Sequence, residues 1–113
     1  MFGLLELDLE YIQMAMKKFN EIDRAVIFGS RAMGNFKKGS DVDISIYGQN
    51  ITNETLYRLN DLLNEEYPLP YFFDILHYEG INNINLKNHI DTYGSEVYKK
   101  MDSNIISKVI KDS

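Results

Sequence analysis

Apolar residues recur at three- and four-residue spacing near the start of the chain. Leu9, Ile12, Met16 and Phe19 predict an amphipathic helix, with Met14 and Met16 read as core filling. Asp8 is placed to cap this helix, and Lys17 and Lys18 fall in its last turns, where cations suit the helix dipole. The pattern then changes. Ala25-Val26-Ile27-Phe28 is a short continuous apolar run ending at Gly29, as expected of a strand buried on both faces. Residues 31–40 hold Gly34, Asn35 and Gly39 and read as a short helical turn followed by a loop.

From Asp41 the chain alternates. Asp41, Asp43, Ser45 and Tyr47 fall on one face of a predicted strand, with Val42, Ile44 and Ile46 on the other. Thr52 or Asn53 can cap a second helix carrying Leu56, Leu59, Leu62, Leu63 and Tyr67, which Pro68 ends. Residues 71–77, rich in aromatic and β-branched types, predict a third strand. Asp74 lies in the middle of it. A carboxylate inside so apolar a strand is expected to need a partner, because burying an unpaired charge is costly.

Leu86, His89, Ile90 and Tyr93 have helical spacing up to Gly94. Ser95 can cap a last helix with Val97, Tyr98, Met101, Ile105 and Val109 along one side. The expected order is helix, strand, strand, helix, strand, helix, helix. That is an α/β or α+β domain with a small mixed or antiparallel sheet and flanking helices.

Composition narrows the classes. At 113 residues the chain is expected to form one domain spanning 1–113. It has no cysteine, so disulfides and thiolate sites are excluded. No segment approaches the roughly 18 consecutive apolar residues of a membrane span, and the first residues do not read as a secretory signal. No membrane association is expected, and a cytoplasmic location fits. The net charge of −5 argues against clamping long nucleic acid. Yet residues 24–40 contain Arg24, Arg31, Lys37 and Lys38 and no carboxylate, which suits a small polyanion.

The candidate chemistry sits where that basic stretch meets the two aspartates. Two common motifs fail. The loop G-x-x-x-x-G-K-[ST] needs Lys and Ser/Thr where this chain has Asn35 and Phe36. The calcium loop needs Gly and Glu where it has Ile46 and Thr52. What remains is specific. Alternate residues on a strand project from one face roughly 6.5–7 Å apart, so Asp41 and Asp43 can share a divalent ion. Asp74 from a neighbouring strand would complete a platform for two ions roughly 3.5–4 Å apart. Carboxylate ligands without cysteine favour Mg²⁺ or Mn²⁺ over zinc. Gly29 lets the backbone approach a phosphate, the Ser30 hydroxyl and nearby amides can donate to it, and Arg31, with Lys37 or Lys38, can neutralise it. His77 and His89 read as structural, since neither belongs to a second ligand cluster. The eight tyrosines read mostly as core and rim.

Gly29-Ser30, ten residues, then Asp41-Val42-Asp43 resembles the G-S-x(n)-D-x-D signature of the DNA polymerase β-like nucleotidyltransferase superfamily. Gly29-Ser30-Arg31-x-x-Gly34 with Ser40-Asp41-x-Asp43 is similar to its minimal nucleotidyltransferases, called MNT, which include antitoxins beside HEPN-domain toxins. Asp74, in Phe73-Asp74-Ile75-Leu76, matches the family's third carboxylate, and Ile90-Asp91-x-x-Gly94-x-x-Val97-Tyr98 looks like the tail of these short proteins. Met33 departs from the pattern, standing where a second arginine is common.

The resemblance implies Mg²⁺- or Mn²⁺-dependent transfer of AMP from ATP to a hydroxyl, with Asp41, Asp43 and Asp74 as catalytic metal ligands and Gly29, Ser30 and Arg31 on the phosphates. It implies a tyrosine of a HEPN-type toxin as acceptor, and thus an antitoxin of the type VII kind. It leaves homo- or hetero-oligomers open. Two alternatives stand beside it: an MNT-like module that neutralises its partner by contact, and an enzyme modifying a small alcohol of the aminoglycoside type.

Overall fold

A computed structural model of the protein describes residues 1–101. The chain runs through α1 (Glu6–Lys17), β1 (Arg24–Phe28), the short α2 (Gly29–Met33), β2 (Val42–Tyr47), α3 (Asn53–Asp61), β3 (Phe73–His77), α4 (Ile84–Tyr93) and β4 (Ser95–Lys99). The four strands form one mixed sheet in the order β3-β2-β1-β4. β1 pairs antiparallel with β2 and with β4, while β2 and β3 are parallel. A parallel pair requires a crossover, and α3 supplies it.

The alternation in β2 partitions the two faces. Val42, Ile44 and Ile46 are fully buried in the main core with Ile12, Met16 and Phe19 of the first helical segment and Leu59 and Leu63 of the second. Each such aliphatic side chain contributes on the order of 2 kcal/mol by leaving water. On the opposite face α4 sets Ile90 against Val26 and Phe28 of β1. β1 is therefore buried on both faces, as its continuous apolar run predicts. No described helix is long and apolar enough to cross a membrane.

Met14, read as core filling, is exposed, and three further local expectations are corrected. Asp8 does not precede α1 but lies in its first turn, where its carboxylate accepts from the Leu5 amide (2.9 Å) and the Tyr71 hydroxyl (2.7 Å). Thr52 is the cap of α3, its hydroxyl accepting from Thr55 N (3.2 Å), but the helix widens after Asp61 into a turn closed by Tyr67 N donating to Leu62 O (2.9 Å). The third correction is larger. Residues 95–99 form a strand, not the start of a helix, because the open edge of β1 offers Ser95–Lys99 a line of backbone partners. Local spacing cannot reveal that edge. Ile105 and Val109, placed in that expected helix, lie outside the described residues.

Gly94 separates α4 from β4 with ordinary extended backbone (φ −64°, ψ 143°). Its value is close approach: a Cβ there would run into the Ile90 carbonyl and the Val26 side chain.

Candidate active site

The site forms where three consecutive features of the sheet end together. Phe28 ends β1 in register with Asp43 of β2, and Asp43 is in register with Asp74 of β3. The chain leaves β1 through Gly29, whose φ of +73° lies in the left-handed region that favours glycine. That conformation lays its Cα on the Asp43 side chain, and a Cβ at Gly29 would collide with the Asp43 carboxylate. Ser30 follows, partly exposed, its carbonyl accepting from Gly34 N (3.0 Å) and Asn35 N (3.2 Å). Its hydroxyl makes no hydrogen bond among the described residues, so it is free to face a ligand.

The two register-paired aspartates differ in environment. Asp43 is half-buried, and Asp74 is exposed. The expectation that Asp74 sits buried and needs a compensating partner is thus corrected: the strand lies at the sheet edge, and Asp74 itself is open to water. Asp41 is exposed at the rim, just before β2. Burial pushes the Asp43 carboxyl above the ordinary range, and the charges of Asp74 and Asp41 push it further. Among the described residues, no three His, Asp or Glu side chains close around one point. The donor chemistry nonetheless fits a hard divalent ion: a half-buried carboxylate, crowded by two like charges, is the arrangement a cation would relieve.

Arg31 is placed differently from the sequence expectation. Its side chain is only 4% exposed. Its Nη1 donates to Phe2 O (2.9 Å), and Nε and Nη2 donate to Ser40 O (3.1 and 2.7 Å). The rings of Phe36 and Tyr71 cover the guanidinium at 4.9 and 5.2 Å. A group held this way is a clip on the loop that leads into Asp41. Lys37 and Lys38 remain exposed on that loop. Ser40 tightens it, its hydroxyl donating to Lys37 O (2.6 Å).

Two residues at the site escaped sequence reasoning. Asn64 brackets the first residue of β3, its Oδ1 accepting from Phe73 N (2.7 Å) and its Nδ2 donating to Phe73 O (3.1 Å). This fixes the start of the strand one residue before Asp74. His89 of α4 accepts the Gly29 N–H at Nε2 (3.2 Å). Its only sequence signal was its place beside Ile90 on a helix predicted to pack, which does not say against what. His77 is structural, as expected, with Nε2 3.1 Å from Gly48 O.

Comparisons with known proteins agree with this layout. No curated protein matches the chain. A crystal structure of a toxin–antitoxin with AMP-PNP superposes with a TM-score of 0.68 at 18% identity, covering 82% of this chain and 74% of that one. The toxin–antitoxin MntA-HepT gives 0.65 at 16% identity, covering 85% and 74%. A tri-AMPylated Shewanella oneidensis HEPN toxin in complex with MNT antitoxin gives 0.64 at 16%, covering 84% and 72%. At such identities the likeness is one of fold. The sequence profile described as "Polymerase beta, Nucleotidyltransferase" matches residues 10–103, nearly the whole described sheet and its helices, and the chain belongs to that family.

Proposed function

We propose that this nucleotidyltransferase moves AMP from ATP to a tyrosine hydroxyl of a HEPN-type toxin, and so acts as the antitoxin of a cytoplasmic pair. The observation that carries the reading is the register pair Asp43–Asp74 beside the Gly29–Ser30 turn. It brings the Gly29–Ser30 turn and two carboxylates to one sheet end. The AMP-PNP and tri-AMPylated toxin in the similar assemblies support the choice of nucleotide and acceptor.

Asp41, Asp43 and Asp74 would hold Mg²⁺ or Mn²⁺. When bound, such an ion neutralises phosphate charge and acidifies the acceptor hydroxyl. Gly29 lets the triphosphate come close to the backbone, the Ser30 hydroxyl donates to a phosphate oxygen, and Lys37 and Lys38 add positive charge beside that of Arg31. The acceptor oxygen forms a bond to the α-phosphorus, the bond from that phosphorus to the bridging oxygen breaks, and pyrophosphate leaves. Asp74, the more exposed carboxylate, takes the acceptor's proton. Most of the acceleration comes from positioning and charge neutralisation.

The test is to incubate the protein, ATP and magnesium with the co-purified partner and weigh the partner intact. An AMP adduct is expected with wild type and none with Asp43→Ala. The burial of Arg31 favours one second reading, neutralisation by contact with weakened catalysis. Neutralisation that survives loss of both Asp41 and Asp43 would support it.

A further inference from the structure

We infer that His89 is a positioning residue that holds the Gly29–Ser30 turn in its phosphate-receiving shape. Its purpose rests on the nucleotidyl-transfer reading, but its geometry does not. Gly29 must keep φ at +73° to lie against Asp43, and a glycine has no side chain to enforce a backbone angle. Its N–H is the natural handle. That N–H is taken by His89 Nε2 at 3.2 Å, reaching across 60 residues of sequence.

The imidazole is itself braced by two rings. Phe28 meets it edge-on at 6.3 Å and Tyr93 tilts against it at 5.3 Å. Its helix is anchored by the adjacent Ile90, 2% exposed, between Val26 and Phe28. β1 thus carries both the turn and the hydrophobic seat of the helix that restrains it, so the two cannot drift apart.

This assigns division of labour within the turn. The Gly29 amide is occupied by His89, leaving Ser30 to make the phosphate contact. For Nε2 to accept, the ring proton must sit on Nδ1. His89 does not touch the reacting atoms in this scheme, so losing its acceptor should weaken nucleotide binding more than turnover. Removing a neutral hydrogen bond and leaving an amide unpaired predicts roughly a fivefold to tenfold loss of ATP affinity.

The test uses the full chain, with His89→Phe to keep the ring packing without an acceptor and His89→Gln to restore one. In wild type, nitrogen NMR of the imidazole should show the Nδ1–H tautomer, and the Gly29 amide should be protected from exchange. His89→Phe should expose that amide and weaken Mg·ATP binding by the stated factor, with turnover at saturating ATP within about twofold. His89→Gln should recover both. An Nε2–H tautomer, an unchanged Gly29 amide in His89→Phe, or equal damage in the two variants would overturn the inference. If wild type binds ATP in a His89-dependent way yet transfers nothing, the transfer reading falls and the positioning stands. If it transfers AMP and His89→Phe binds ATP equally well, the positioning falls and transfer stands.

Discussion

Asp43 and Asp74 face each other across a parallel strand pair, one half-buried and the other open to water. Their proximity, with burial and Asp41, holds the Asp43 carboxyl above its ordinary range. A raised carboxylate destabilises the fold once ionised. Wild type should therefore lose stability as pH climbs from the ordinary Asp value through the raised one, and should regain it as pH falls back. Asp43→Asn should remove this component and raise the melting temperature near neutral pH. The gain should be modest, because the group is partly solvated. Thermal melts against pH check the sign; a less stable Asp43→Asn at neutral pH contradicts it.

The same crowding predicts the response to metal. Millimolar Mg²⁺ or Mn²⁺ should raise the melting temperature of wild type and leave Asp43→Asn nearly unmoved, since binding to the native state alone adds stability. The difference between the two shifts is the quantity to measure.

Gly29→Ala should be damaging for two separate reasons. The left-handed backbone costs an alanine roughly 1–2 kcal/mol, and the added Cβ meets the Asp43 carboxylate. Transfer should fall by more than the loss of folded protein explains, because the turn and Asp43 must separate. Activity per folded molecule, after a denaturation curve, decides this.

Arg31→Ala should behave as a stability mutant. Three donated hydrogen bonds from a buried guanidinium are lost, at a cost of about 2–4 kcal/mol. Arg31→Lys should fail to rescue, because one ammonium cannot serve both Phe2 O and Ser40 O in the same fork. A weakened ATP affinity with full stability would return Arg31 to the phosphate.

Asn64→Ala should free both backbone groups of Phe73 and cost about 1–3 kcal/mol. As Asp74 follows directly, transfer should suffer beyond that loss. Asn64→Asp, which can accept but not donate, should sit between wild type and alanine.

Much of this arrangement is legible in the sequence, for identifiable reasons. The alternation from Asp41 to Tyr47 has period two because one face of β2 meets the core, and that alone puts Asp41 and Asp43 on the other face. The glycine at 29 is visible because the apolar run before it stops so sharply. Three things stayed hidden because each depends on which distant segments meet. Val97, Tyr98 and Met101 have helical spacing, yet Val97 and Tyr98 lie in β4, whose pairing with β1 decides its conformation. Arg31 reads as a phosphate ligand beside Ser30, and nothing local shows that Phe2, 29 residues earlier, and Ser40 take up its fork. His89 acquires meaning only when α4 lies over β1.

The most direct measurement follows the fate of label from ATP carrying phosphorus-32 at either the α or the γ position, with magnesium and the co-purified partner. Label from the α position should join the partner with release of unlabelled pyrophosphate, label from the γ position should not, and Asp43→Asn should abolish the signal. Transfer of γ label, or α label undiminished in Asp43→Asn, would contradict nucleotidyl transfer at this site.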